Sequence, residues 1–224
     1  MKRSAAPARP AAVREQPATA SPERGGPAVG NMDWDSLERT VATCTACALC
    51  KTRTQTVFGV GSHRSAWMLI GEAPGAEEDL RGEPFVGQAG RLLDAILAAA
   101  GLGRSGPAES AVYIANVLKC RPPANRNPEP DEVARCEPFL RRQIELLAPR
   151  IILVMGRFAA QSLLGTDASI ASLRGRAHPF RAGDATVPVI VTYHPAYLLR
   201  NLADKAKVWS DICLAREVFA QAGR

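Results

Sequence analysis

The stretch AWMLIGEAPG, residues 66–75, decides the fold class that the chain is expected to adopt. It begins with an apolar run of strand length and ends in a loop that contains glycine and proline. Because the run is apolar throughout and does not alternate with polar residues, it predicts a strand whose two faces are both covered. A carboxylate, Glu72, follows at the position where this strand would end.

Three more apolar runs follow along the chain, and a helical pattern separates each from the next. The runs lie in AVYIANVLKC, RIILVMG and VPVIVTYHP, and the helical patterns lie in GQAGRLLDAILAAAG, PDEVARCEPFLRRQIELLAP, RFAAQSLLG and NLADKAKVWSDICLAREVFAQAG. A shorter helix, capped by Asp33 or Asp35, is predicted to precede the first strand. The alternation predicts a three-layer α/β/α domain over residues 32–224, with a four-stranded parallel central sheet.

The N-terminal segment, residues 1–31, differs in composition from the rest of the chain. It is rich in proline, alanine and glycine and carries five basic and two acidic side chains, so it is expected to be a disordered basic arm. It has no continuous apolar segment, which argues against an export signal. No apolar run approaches the roughly eighteen residues of a membrane span. We therefore expect a cytoplasmic protein with reduced thiols, and the lack of repeats or heptads predicts a monomer.

Polar side chains follow the ends of the predicted strands. Glu72 follows the first strand, Asn116 the second and His194 the fourth. Because the carboxyl ends of parallel strands meet at one edge of a sheet, a carboxylate, an amide and an imidazole are expected to converge there. This convergence predicts an active site. The formal net charge of +6 is compatible with a nucleic-acid substrate but does not demonstrate one.

Three cysteines lie within seven residues, in the segment CTACALC at residues 44–50. Two overlapping Cys-x-x-Cys pairs are possible there, Cys44 with Cys47 and Cys47 with Cys50. Either pair could be a redox dithiol, half of a zinc site or half of an iron–sulfur site. The remaining cysteines are Cys120, Cys136 and Cys213.

Three long segments together resemble the family 4 uracil-DNA glycosylases, the iron–sulfur branch of the uracil-DNA glycosylase superfamily. They are GEAPGAEEDLRGEPFVGQAGRLLD, NVLKCRPPANRNPEPDEVARC and TYHPAYLLR. The similarity extends from about Asp33 to the C-terminal helix. It implies a base-excision repair enzyme that flips uracil out of single- or double-stranded DNA and hydrolyses its N-glycosidic bond, which leaves an abasic site.

The resemblance also implies roles for five residues of the predicted site. Asn116 would read the Watson–Crick edge of uracil, and Phe85 would stack on the flipped base. His194 would donate a hydrogen bond to uracil O2, with the backbone N–H of Ala73 as a second donor. Glu72 would face the sugar and the attacking water, where it would either orient that water or stabilise the positive sugar.

Two further segments near the site carry weaker expectations. The carboxylates Glu77, Glu78 and Asp79 are expected to form a solvated acidic turn, although one of them could line the pocket near C5 of the base. After His194, an apolar wedge of Leu198 and Leu199 is expected to enter the base stack, with Arg200 on the phosphates.

The cysteine pattern suits a 4Fe–4S cluster, which the resemblance also implies. A zinc ribbon would need a second close pair, and a dithiol would leave Cys120 and Cys136 unexplained. Counting back from VFGVG, the family pattern falls on Cys44 and Cys47, which would complete the ligand set with Cys120 and Cys136. Cys50 would then be a spare thiol, and Cys213 a core residue of the last helix.

Two alternative functions are weighed against the enzyme. The first is a relative that binds uracil-DNA covalently through a histidine, and RPPANRNPEP, the corresponding segment here, has no histidine. The second is a non-catalytic iron–sulfur or zinc nucleic-acid-binding module. The presence of Glu72, Phe85, Asn116 and His194 together favours the enzyme over both.

Overall fold

Five strands form a single sheet in the order β2-β1-β3-β5-β4. The structure is a computed structural model that describes residues 29–222. The strands are β1 (Trp67–Gly71), β2 (Val112–Asn116), β3 (Ile151–Met155), β4 (Ala177–Ala182) and β5 (Ala185–Thr192). The first three strands and β5 pair in parallel, while β4 is antiparallel to β5. The α/β class and the parallel sheet are therefore confirmed, with one strand more than predicted.

The additional strand, β4, has no apolar run from which it could have been predicted. Its six residues read AHPFRA, and only Phe180 among them is buried. It lies at the edge of the sheet, where Pro179 is tolerated because an edge strand leaves one side of its backbone unpaired. A pattern search for buried parallel strands cannot detect such an element.

Helices cover both faces of the sheet. They are α1 (Trp34–Ala42), α2 (Ala76–Arg81), α3 (Gln88–Ala99), α4 (Pro130–Leu147), α5 (Arg157–Leu164), α6 (Ile170–Leu173), α7 (Pro195–Leu198) and α8 (Lys205–Gln221). Short 3-10 turns occupy Val29–Asn31, Ala48–Lys51, Pro123–Asn125 and Leu202–Asp204. None of the described helices is long and apolar enough to cross a membrane.

Local sequence signals account for where several helices begin and end. Asp33 caps α1, and its carboxylate accepts the backbone N–H of Ser36 at 2.8 Å, as predicted. Helix α4 begins at Pro130, the first residue of the predicted helical segment, because proline suits the first helical position. Helix α3 ends at Ala99. Gly101, which has a positive φ of 70°, follows two residues later.

The core lies on both faces of the sheet, as expected for strands that are apolar throughout. Successive residues of β1 point to opposite faces, with Met68 in one buried cluster and Trp67 and Leu69 in the other. All five residues of β1, β2 and β3 are buried. Polar residues at the ends of these strands are therefore held by a rigid, close-packed support.

Of two predictions about the ends of the chain, the structure tests only the one for Cys213. Most of the predicted arm, residues 1–31, lies outside the described residues, and Val29 already packs against a small cluster around Met32 and Phe139. Cys213 is exposed, so its prediction as a core residue was wrong. The buried stripe of α8 includes Asp211, Ile212 and Ala215, and Cys213 lies off that stripe.

Candidate functional site

Glu72, Asn116 and His194 line one cavity of about 460 Å³ at the carboxyl ends of β1, β2 and β5. The parallel pairing brings Gly71 and Asn116 opposite each other, so the residues that follow β1 meet the end of β2. Ala73, Phe85 and Arg200 also line the cavity. Its volume lies in the range of small-molecule sites in proteins. The structure thus brings together the residues that the strand ends predicted.

Asn116 presents a buried hydrogen-bond acceptor to the cavity. The residue is 2% exposed, and within the described part of the chain its Oδ1 has no hydrogen-bond partner. Leaving a buried polar atom unpaired costs about 1–3 kcal/mol, so such atoms are rare and often functional. A ligand with an N–H donor at this position would satisfy the oxygen.

His194 is held in one orientation by the helix that it caps. Its Nδ1 accepts the backbone N–H of Ala196 at 3.1 Å at the start of α7, so in the neutral ring the proton is on Nε2. Burial lowers the pKa of His194 to about 4, with a smaller opposing effect from the charge of Glu78. At neutral pH the ring is therefore an uncharged donor.

Glu72 lies in a partly buried position at the end of β1. Burial raises the pKa of its carboxyl group, and the positive charge of Arg157 opposes that rise. A carboxylate with a raised pKa accepts a proton more readily than one in bulk water. Glu72 also lines a second cavity, of about 470 Å³, between the N-terminus of α4 and helix α5.

Phe85 is held in a backbone conformation that L-residues avoid. Its φ is 57°, and its carbonyl oxygen accepts a 2.6 Å hydrogen bond from Arg104. Arg104 also donates to the carbonyl of Pro84 at 3.0 Å and pairs with Asp94 at 2.8 Å. The Phe85 ring lies 5.3 Å from the ring of His194, centroid to centroid. Strain of this kind persists where the surrounding contacts enforce it, and it often marks a functional site.

Gly71 leaves room for both the amide and the aromatic ring. A Cβ at this position would lie 2.7 Å from Cζ of Phe85 and still closer to Oδ1 of Asn116. Gly71 is therefore a point of close approach, and any side chain there would push these two groups out of place.

We expect Gly71→Ala to lower activity at this site about a hundredfold while the protein remains folded, because a 1 Å misplacement of reacting groups has such an effect. Single-turnover rates and thermal unfolding of the variant check this. Gly30→Ala is the matched control, since an added Cβ there meets nothing within 4 Å. Activity of Gly71→Ala within twofold of the parent would contradict the close-approach interpretation.

The sequence interpretation missed several residues of the cavity, among them Asn125 and Arg126. Glu78 also lines the cavity, which agrees with the alternative that one of the three carboxylates lines the pocket. The prediction of a solvated acidic turn is wrong for Glu78 and Asp79. Glu78 accepts backbone N–H groups from Gly75, Val86 and Gly87, and Asp79 is 3% exposed. The signal available for Asn125 was weak, since its positive φ of 53° suits asparagine but appears only in the folded loop.

The predicted wedge is divided by the fold. Leu198 is fully buried at 0% exposure in the cluster beneath α7, so its predicted insertion into DNA is wrong. Leu199 is 41% exposed, and Arg200 is exposed at the rim of the cavity. Leu202, which the sequence interpretation missed, is 64% exposed just beyond them. The exposed leucines that flank Arg200 in this segment are therefore Leu199 and Leu202.

Five cysteines, which we call the thiol cluster, surround a small internal cavity next to this site: Cys44, Cys47, Cys50, Cys120 and Cys136. Cys120 accepts a 3.0 Å hydrogen bond from Arg53, and Cys136 accepts one of 3.2 Å from the backbone N–H of Lys119. Burial raises the pKa of Cys136 to about 11, so binding a metal there would displace a proton. Among residues 29–222, no set of three or more ligands converges closely enough to hold a single ion.

Comparison with known proteins agrees with this geometry. Residues 58–213 match the model of the uracil DNA glycosylase superfamily. The chain is 44% identical to a type-4 uracil-DNA glycosylase of Archaeoglobus fulgidus, over 74% of this chain and 82% of the relative. Relatives of the same name from Thermotoga maritima and Saccharolobus solfataricus are each 41% identical, over 82% and 83% of this chain and 93% and 86% of their own lengths. The chain therefore belongs to the uracil-DNA glycosylase superfamily, among its type-4 members.

Proposed function

We propose that the protein flips uracil out of DNA into the cavity and hydrolyses its N-glycosidic bond, leaving an abasic site. The observation that carries this proposal is the buried Oδ1 of Asn116 beside Phe85 and His194, which has no hydrogen-bond partner among residues 29–222. Flipping a nucleotide costs a few kcal/mol, and stacking on an aromatic ring returns about 1–3 kcal/mol. Phe85 supplies that ring.

Asn116 is the group that selects uracil. Its Oδ1 accepts the N3–H of uracil, and its Nδ2 donates to O4. Cytosine has an acceptor at N3 and a donor at C4, so it would leave both partners unsatisfied. A site built to pair with a specific donor and acceptor rejects a base with the opposite pattern strongly.

His194 and Glu72 act on the bond that breaks. As the bond between C1′ and N1 opens, its electron pair moves to the base, and negative charge develops on O2. The Nε2–H of the neutral His194 donates to this oxygen, a contribution typically worth about 3–4 kcal/mol for a preorganised donor. In this proposal Glu72 faces the sugar, where its carboxylate stabilises the developing positive charge and orients the water that attacks C1′. Burial raises the pKa of this carboxyl group, which favours proton acceptance. The backbone N–H of Ala73 is a second donor to the base.

The rim of the cavity supplies the contacts with DNA. Leu199 and Leu202 present apolar surface next to the basic Arg200. An apolar side chain can fill the gap that a flipped nucleotide leaves in the base stack, and a cation binds the adjacent phosphates. The substrate in this proposal is uracil-containing DNA, and we propose that the protein acts on it as a monomer in the cytoplasm.

The thiol cluster fits a 4Fe–4S cluster held by Cys44, Cys47, Cys120 and Cys136. All five cysteines, Cys50 included, line the same cavity, so the choice of Cys44 over Cys50 rests on the sequence pattern. When bound, the cluster supplies four iron–thiolate bonds that cross-link the segment after α1 to the loop after β2 and to α4. Its role in this proposal is structural.

The test is excision by anaerobically purified protein on an oligonucleotide with a single uracil. We expect alkali-sensitive cleavage at the uracil and none on a control strand with thymine at that position. Binding without cleavage would indicate a non-catalytic module, and a protein–DNA adduct stable in SDS would indicate a covalent uracil-binding relative. Either result would overturn the proposal.

A further inference from the structure

Lys119 is a buried lysine between the thiol cluster and the base-binding cavity. It directly precedes Cys120 and is 1% exposed. Its Nζ donates to the backbone carbonyl of Asn116 at 2.8 Å and to Oε1 of Gln143 at 2.6 Å. Lysine is almost never fully buried without partners, so its position there calls for a specific role.

The carbonyl of Asn116 needs this partner because β2 is an edge strand. On the outer side of β2, the carbonyl of Ile114 accepts the backbone N–H of Val60, an isolated bridge. Carbonyls two residues apart on a strand point the same way, so that of Asn116 also points outward. There it meets the Nζ of Lys119, which takes the place of a neighbouring strand.

Gln143 fixes the other end of the contact. It is fully buried on α4, and its Nε2 donates to the carbonyl of Phe58 at 3.0 Å and to the hydroxyl of Tyr113 at 3.2 Å. Both donating and accepting atoms of its amide are thus satisfied. Fully satisfied buried networks of this kind hold their members in one arrangement.

The backbone of Lys119 contacts the thiol cluster. Its N–H donates to Sγ of Cys136, and its carbonyl accepts the N–H of Val57. One residue therefore touches a predicted cluster ligand with its backbone and the residue that reads the base with its side chain. Arg53, another cation beside the thiols, contacts Cys120 and the carbonyl of Ala42, and neither of these residues lines the base-binding cavity.

We propose that Lys119 is a positioning residue that links the thiol cluster to Asn116 and so positions the amide that reads the base. The inference rests on the proposed uracil excision. It means that ordering of the cysteine segments affects how well uracil is recognised in that reaction. Ordering of the cysteine loop fixes the backbone of Lys119, and the lysine side chain then fixes the carbonyl, and with it the side chain, of Asn116. Without this contact, the amide would present its donor and acceptor to uracil less accurately.

The test uses the full chain, purified anaerobically with its cluster, as Lys119→Met. Methionine has a similar length but cannot donate a hydrogen bond. We measure the affinity for DNA containing an uncleavable 2′-fluoro-2′-deoxyuridine, relative to the same DNA with thymidine. Iron content and visible absorption are measured on the same samples. We expect iron content equal to that of the parent and a loss of uracil-specific affinity of about tenfold, the effect of one strong hydrogen bond.

Arg53→Met is the matched control, because it removes a cationic contact with the thiols and leaves Asn116 untouched. We expect faster loss of visible absorption in air but parental uracil-specific affinity per iron-loaded molecule. If Lys119→Met does not fold, Lys119→Gln replaces it, since its amide is polar but one bond too short to span both acceptors. The same tenfold loss is expected.

The outcomes separate this inference from the proposed function. If the parent protein itself shows no preference for uracil over thymine, the proposed function fails. If the parent shows that preference and the lysine variants keep it with full iron content, the positioning role is wrong. A loss of affinity that follows the loss of iron in proportion would also overturn it, because the lysine would then only support the cluster.

Discussion

Replacing Asn116 by alanine is expected to lower the rate of uracil excision about 10³-fold or more. Both hydrogen bonds to the Watson–Crick edge of the base are lost, and sites that depend on such pairing discriminate by at least this factor. The free energy of unfolding, in contrast, is expected to be unchanged or higher. Because the buried Oδ1 has no partner within the described residues, its removal relieves a desolvation cost.

Single-turnover excision and chemical denaturation of Asn116→Ala measure these two quantities. Asn127→Ala is the matched control, since Asn127 is exposed on the neighbouring loop and does not line the cavity. We expect parental excision from the control and an unchanged or higher free energy of unfolding for Asn116→Ala. A variant that excised uracil at more than a tenth of the parental rate would show that another group reads the base.

Replacing Cys136 by serine is expected to abolish cluster binding and to lower the melting temperature by about 10 °C. Metal binding that forms with the fold contributes several kcal/mol of stability, and for a chain of this size each kcal/mol shifts the melting temperature by about 2–4 °C. Cys136 joins α4 to the loop after β2, so its loss separates two elements that also carry the site.

Iron content, visible absorption and thermal unfolding of anaerobically purified Cys136→Ser check this prediction. Cys50→Ser is the closest control, because Cys50 lines the same cavity but is excluded from the proposed ligand set. We expect Cys50→Ser to retain its iron and Cys44→Ser to lose it. Retention by Cys44→Ser together with loss by Cys50→Ser would move the first ligand pair to Cys47 and Cys50.

Much of the central sheet could be predicted because buried parallel strands have a strong local signature. The strands around Met68 and Leu153 are apolar in every residue, the strand around Ile114 is apolar up to its last residue, Asn116, and all three are buried on both faces of the sheet. Strand β4 was missed because it lies at the edge, where one side is solvated and proline is tolerated. A strand has a continuous apolar sequence only where both of its faces are buried.

The candidate site divides in the same way. Glu72, Asn116 and His194 were predictable because each lies at or just past the carboxyl end of a strand, and these strand ends meet by topology. Neither the burial of Leu198 nor the exposure of Leu199 could be read from a segment in which both are leucine. Glu78 resembled its acidic neighbours in sequence, and only the folded loop directs it towards three backbone N–H groups.

The sequence by itself determined the parallel sheet, the edge at which the polar residues meet, and the thiol-rich segment. These features depend on periodicity and on residue chemistry, which are local properties of the chain. Only the tertiary structure decided which leucine is exposed, that Phe85 is held at a positive φ by Arg104, and that Lys119 reaches the carbonyl of Asn116. Those facts depend on contacts between residues distant in sequence or on which face of a turn meets the core, and no local pattern encodes either.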